Sequence, residues 1–185
     1  MTKNLFKEFP EIKTNEIMLR KLNFNDIQDM FEIFSDEEVL KYYDVLPHKN
    51  IEDTERLFFT FTNNYKDNKA IRWGIVNLEN NKLIGTCGFH NFDYKSTRAE
   101  IGCELNKAYW KQGFMHKALN EIIKIGFENS PLNRIEAIVD DENENSKLIL
   151  EKLAFKHEGC LRKRFYFNGQ FRNENYFGLL KDEWK

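Results

Sequence analysis

AEIGCELNKAYWKQGFMHKALNEIIKIGF, Ala99 to Phe127, reads as strand, loop and helix. In Ala99 to Leu105, the residues Ala99, Ile101, Cys103 and Leu105 alternate with Glu100, Gly102 and Glu104, the period of a half-buried strand. A loop, Asn106 to Gln112, follows. From Gly113 the residues Ala118, Leu119, Ile122, Ile123 and Gly126 recur at helical spacing and form one apolar stripe. A glycine at a strand-to-helix junction suits an anion. The first helical N–H groups lack internal partners, the helix dipole favours negative charge, and glycine admits close approach. One glycine also fits an ordinary connection, so the flanking sequence has to decide.

Upstream, residues 1–15 read as a peripheral lead-in and Ile17 to Leu22 as a first strand. Asn25 with Gln28 fits a capping box opening a helix through Phe34, and Ser35 with Glu38 opens a short one over Asp36 to Lys41. Tyr42 to His48 is an aromatic loop. Asn50 caps a longer helix with the stripe Leu57, Phe58, Phe61, Tyr65, ended by polar Asn63 to Lys69. Strands Ile71 to Leu78, Lys82 to Phe92 and Ala99 to Leu105, turning at Asn80-Asn81 and at Asp93 to Thr97, predict an antiparallel meander. Downstream, Arg134 to Val139 is a strand reached through the central helix, so it lies parallel to Ala99–Leu105. Asn143 to Leu153 is a helix. Lys156 to Phe167 and Gln170 to Leu180 form a hairpin at Asn168-Gly169. The order predicts an α/β fold with a largely antiparallel sheet, a parallel pair in its middle and flanking helices. Ligands in such sheets favour the carboxyl end of a parallel strand, here Leu105 to His116.

The 185 residues suffice for one domain with a proper core, set at about residues 9–184. A net charge of −2 with mixed signs offers no bulk attraction to nucleic acid or to an acidic membrane. No apolar run approaches the ~20 residues of a membrane span, and the N-terminus lacks a signal-peptide core. Cys87, Cys103 and Cys160 form no C-x-x-C pair, and no metal-ligand spacing joins them to the histidines. The expectation is a cytoplasmic protein with free thiols and no metal.

Four segments, in order, resemble the GNAT acetyltransferases, and within them the branch of the RimJ/RimL ribosomal-protein N-terminal acetyltransferases. They are FPEIKTNEIMLRKL, EIGCELNKAYWKQGFMHKAL, NENSKLILEKLAFKHEG and RFYFNGQFRNENYFGLLKDEW, and together they cover nearly the whole chain. The resemblance implies a sheet in which two parallel strands splay apart and acetyl-CoA lies in the gap. By position, Glu104 and Leu105 offer backbone groups to the pantetheine. Gln112, Gly113, Phe114, Met115 and His116 offer amides to the pyrophosphate, and Lys111 a charge. Asn143 and Ser146 border the far side. The chain departs from the family pattern at Trp110, where Arg or Gln is usual, at Lys111 and Met115, where small residues are commoner, and at Ala154, which replaces a glycine.

Acetyl transfer requires a neutral amine, and an α-amine titrates at about 7.7–8 against about 10.4 for lysine. A base must take its proton, and donors must meet the oxyanion and the leaving thiolate. The resemblance places a catalytic glutamate at Glu100. Glu104 shares its face, and His90, with a suitable ordinary pKa, lies on the adjacent strand. Each also has a structural reading: Glu100 as a strand carboxylate paired with a neighbouring Arg or Lys, Glu104 as a residue that matters only by its backbone, and His90 as a structural histidine. The tyrosine that many relatives use as acid is Leu150 here, which leaves Ser146 as the candidate. Cys103 has no adjacent base and is a poor nucleophile. Tyr42 to His48 and the terminal hairpin lie where relatives build the acceptor pocket. The expected acceptor is a protein N-terminal amine. Alternatives are a small amine (polyamine, aminoglycoside or amino-acid conjugate) and a non-catalytic acyl-CoA-binding module. The aromatic-rich hairpin is a candidate surface for pairing two copies.

Overall fold

The computed structural model describes residues 4–184. Its strands are β1 (Ile12–Lys13), β2 (Ile17–Lys21), β3 (Ile71–Asn77), β4 (Leu83–Asp93), β5 (Arg98–Leu105), β6 (Arg134–Asp140), β7 (Lys156–Phe167) and β8 (Gln170–Leu180). Its helices are α1 (Ile27–Phe34), α2 (Glu37–Leu40), α3 (Ile51–Lys66), α4 (Phe114–Asn129) and α5 (Glu144–Lys152). The strands form one sheet in the order β1-β2-β3-β4-β5-β6-β8-β7. Only β5 and β6 pair in parallel, the arrangement that a strand–helix–strand crossover dictates. The expected largely antiparallel sheet with a parallel pair in its middle is what forms.

Two apolar clusters flank this sheet. The larger gathers Trp73, Phe89 and Ile135 from the strands with Ala118, Leu119, Ile122, Ile123 and Phe127 of α4 and Leu150 of α5. The smaller joins Met30, Ile33 and Phe34 of α1 to Val39, Leu40 and Phe58. Helix α4 lies close on the sheet because Gly126 has no side chain. A Cβ there would stand 2.9 Å from the Phe89 ring.

The N-terminal half departs from the sequence reading in several places. The lead-in is not peripheral. Leu5 is buried in the larger core, Trp73 Nε1 donates to Pro10 O at 2.6 Å, and β1 adds a strand to the edge. The first capping box is Asn23 with Asp26, two residues ahead of the expected Asn25 and Gln28. Arg20 sets the shift by gripping the Asp26 carboxylate with two bonds of 2.7 Å, and a 3-10 turn precedes α1. Asp36, not Ser35, caps α2, because the Ser35 hydroxyl donates back to Phe31 O. Helix α3 runs through the polar Asn63–Lys66 segment, where Tyr65 packs on Phe6 and Phe9. The Asn168-Gly169 turn forms as expected, with φ of 48° and 80° as a type I′ hairpin needs.

Replacing Gly126 by Leu should overpack the α4–sheet contact and cost about 1–3 kcal/mol. Calorimetry should show a midpoint lower by roughly 2–12 °C. An unchanged midpoint would mean that α4 does not bear on Phe89.

Candidate active site

The pairing of β5 with β6 lasts only from Arg98–Arg134 to Glu100–Glu136. Beyond Glu100, β5 keeps its ladder with β4 and β6 keeps its ladder with β8, so the two strands part. Asn106 N–H bonds to Ile84 O across the sheet. By antiparallel alternation, Glu104 then turns its backbone groups to β4, and Cys103 and Leu105 turn theirs to the gap. Of the expected pair Glu104 and Leu105, Leu105 is the one whose backbone turns to the gap, with Cys103 beside it. Two carbonyls there are already taken. Tyr43 Oη donates to Cys103 O, and Trp110 Nε1 donates to Leu105 O at 2.8 Å. The N–H groups of Cys103 and Leu105 have no facing strand and remain for a ligand.

At the carboxyl end of β5 the chain makes a 3-10 turn over Lys107–Tyr109 and then two left-handed residues, Lys111 (φ 62°) and Gly113 (φ 84°). Gly113 is the N-cap of α4, with no side-chain cap and no acidic residue in the first turn. Lys117 N–H makes the first helical bond, to Gly113 O. The amides of Phe114, Met115 and His116 are therefore open donors at a positive dipole end. Met115 sends its side chain into the core and Phe114 packs on Tyr109 at 6.0 Å, so both offer backbone alone. The Gln112 side chain folds back to Ala108 O at 2.9 Å. A gap with free strand amides, opening onto an uncapped helix start, fits a pantetheine arm carrying a pyrophosphate.

The face of β5 that bears Glu100, Gly102 and Glu104 meets a polar cluster. Glu104 is buried, ion-paired with Arg72 and hydrogen-bonded by Thr86 Oγ1 at 2.5 Å. Arg72 also donates to Thr86 Oγ1 at 3.0 Å and to Gly102 O at 3.2 Å. Tyr43 closes the cluster. Burial, with the Glu104 charge, pushes its phenol well above the ordinary range, so it stays a proton-bearing donor. Sequence reading placed Tyr43 only within an acceptor loop and missed Arg72 and Thr86. Their period-two match with Glu104 across three strands was the available signal.

Glu100 lies opposite His90 in the ladder, with His90 Nε2 3.6 Å from its carboxylate. The neighbouring His90 side chain foremost, then Asn91 and the nearby charges, hold Glu100 below the usual carboxylate range against burial. Asn143 caps α5 by accepting Ser146 N–H at 3.1 Å, as its sequence position suggests. That bond places Ser146 in the first turn of α5, after the carboxyl end of β6. Leu150 is a core residue. Burial pushes the Cys103 thiol up to about 12, which removes it as a nucleophile. Cys160, by contrast, is exposed. On the acceptor side, Arg172 of the hairpin donates to Lys41 O at 3.1 Å and so bridges to the loop carrying Tyr43. Asp53 is engaged in the α3 cap, its carboxylate accepting from Lys49 N–H and its N–H donating to Asn50.

A family model described as an acetyltransferase (GNAT) domain matches residues 16–156. An uncharacterized N-acetyltransferase, YoaA, of Bacillus subtilis (strain 168) is 36% identical over 173 residues, 94% of this chain and 98% of its own. A putative ribosomal N-acetyltransferase, YdaF, of the same organism is 29% identical over 178 residues, 94% and 96% of the two chains. Among solved structures, an acetyltransferase (GNAT family) from Bacillus anthracis superposes with a TM-score of 0.83 at 26% identity, over 94% of this chain and 99% of that one.

Acetyl-CoA at ~100 times its Kd should stabilise the fold by roughly 2.7 kcal/mol, a rise of about 5–11 °C in midpoint. If the open amides of α4 hold the cofactor's phosphates, Gly113→Asp should abolish the rise, since it strains a left-handed position and puts a carboxylate beside those amides. Retention of the full shift in that variant would remove the α4 start from the cofactor site.

Proposed function

The chain belongs to the GNAT acetyltransferase family, and on that premise we propose that it transfers the acetyl group of acetyl-CoA directly to a protein N-terminal α-amine. The observation that carries this reading is the parting of β5 from β6. It joins an anion-seeking helix start on one side to the Glu100, Glu104 and Tyr43 face on the other. The likeness over nearly full length to a putative ribosomal N-acetyltransferase supports a protein acceptor. The cofactor supplies the activated thioester. Cys103, Leu105 and the first amides of α4 hold it, with Asn143 and Ser146 at the far wall. We take the chain as one catalytic unit with its core at about residues 9–184. A second copy would meet the hairpin at the exposed Tyr166 and Phe171.

We assign the base to Glu100, acting directly or through water, with His90 positioning it. Glu104 suits this role less, because Arg72 and Thr86 already hold its carboxylate. The depressed Glu100 is a weak base, and that bears on the acceptor. Neutralising an amine of pKa about 10.4 at pH 7 costs about 4.6 kcal/mol, against roughly 1.4 kcal/mol for an α-amine. A weak carboxylate base is matched to the second. Tyr43 would turn its one O–H from Cys103 O to the leaving thiolate, in place of the hydroxyl that α5 lacks at Leu150. The amides of Cys103 and Leu105 can meet the oxyanion.

With an N-terminal peptide as acceptor, kcat/KM should rise with pH to a plateau, with an apparent pKa of about 8 set by the peptide amine. The protonation of Glu100 affects only the acid side, because its folded pKa lies below the ordinary carboxylate value. Glu100→Gln should lower the plateau about ten- to a hundred-fold and leave the inflection in place. An inflection near pH 6–7 that vanishes in the variant would assign the titration to a raised Glu100 and contradict this geometry.

A further inference from the structure

Edge strand β7 breaks its ladder in the middle. Leu161 pairs with Glu174 and Phe165 pairs with Arg172, so Arg162, Lys163 and Arg164 stand opposite Asn173 alone. This is the one run of three consecutive cations in the chain. The bulge is braced. Lys163 takes a left-handed φ of 53°, and its N–H is held by Asn173 Oδ1 at 2.9 Å. Asn173 in turn donates to Asp141 at 3.2 Å, and Asn175 donates to the same carboxylate at 2.8 Å. Bulges re-aim side chains and recur beside active sites.

All three cations are exposed. Around the hairpin, among the described residues, ion pairs are made by Lys156, Glu158 and Arg172, not by these three. With Cys160, Leu161 and Asn173 they line an open concavity of about 800 Å³. The concavity stands level with the carboxyl end of β6, since Leu161 pairs with Glu174 and Glu174 with Asp140, the last residue of that strand. At the near end of the bulge, Arg172, the partner of Phe165, reaches across to Lys41 O at 3.1 Å and ties the hairpin to the segment before Tyr43.

We propose that Arg162, Lys163 and Arg164 form an anion-reading rim of the acceptor cleft, which selects a peptide whose residues just after the N-terminal amine are acidic. The proposal rests on the N-terminal acceptor reading. An extended acidic chain entering between the hairpin and the Tyr43 loop would bring its carboxylates to the guanidinium groups, which bind them in bidentate fashion. A polyamine would meet repulsion at the same place.

Two acidic peptides test this, one with a free amine for turnover and one N-acetylated for binding by calorimetry. The variant combines Arg162→Ser, Arg164→Ser and Lys163→Asn, the last because asparagine tolerates the left-handed backbone. An unchanged acetyl-CoA thermal shift certifies its fold. The expected result is a Kd about ten-fold weaker for the N-acetylated acidic peptide, with a flatter salt dependence, and a matching fall in kcat/KM for its free-amine form. Equal binding by variant and wild type, or wild-type preference for a lysine-bearing peptide or for spermidine, would overturn the rim. Binding that depends on the three cations without any acetylation would overturn the acceptor reading and keep the rim. Acetylation unaffected by the variant would do the reverse.

Discussion

Everything distinctive in this molecule follows from a hydrogen-bond ladder that stops. Strands β5 and β6 share three residue pairs and then separate. Backbone N–H groups in a sheet interior are rarely left without partners, because burying one unpaired costs as much as a lost bond or more. The molecule answers in two ways. Trp110 and Tyr43 satisfy the two carbonyls that would otherwise face an empty seam. The amides beside them stay available. The opening is thus selective by construction, closed to donors and open to acceptors such as the carbonyls of an extended pantetheine arm.

The second constraint is charge. Arg72 and Glu104 sit together under the reaction face, both largely removed from solvent. A pair buried this way adds little to stability compared with apolar residues, yet losing either member leaves an uncompensated charge and costs about 3–5 kcal/mol. Its value here lies in placement. Arg72 reaches Thr86, the Gly102 carbonyl and the Phe61 ring as well as Glu104, so it ties three strands to the helix layer that carries Tyr43. The neighbouring Glu100 is left with a lighter partner, His90 at 3.6 Å.

Much of this was legible in the sequence where local chemistry governs. The period-two strands, the Asn50 cap, the Asn168-Gly169 turn and the α4 stripe depend on nearest neighbours, and they form where periodicity puts them. What escaped was decided by distant contacts. Asp26 became a cap partner because Arg20 grips it, and Phe6, Phe9 and Pro10 joined the packed body because Tyr65 and Trp73 receive them. At the site, alternation showed that Glu100 and Glu104 share a face. It did not show that Arg72 and Thr86 would claim one and leave the other, nor that Tyr43 would enter from a loop sixty residues upstream.

Strand β5 does two jobs by parity. Its odd residues give side chains to the core and backbone groups to the gap, and its even residues give side chains to the polar face and backbone groups to β4. A single residue inserted or deleted within the strand would exchange the two sets beyond it. It would bury a carboxylate in the apolar layer and turn the gap-facing amides toward β4. Related chains are therefore free to differ in length at the outer Asn168-Gly169 turn, but the run from Glu100 to Leu105 can change only by substitution. In a comparison of diverging sequences, it should stand out as a segment without gaps.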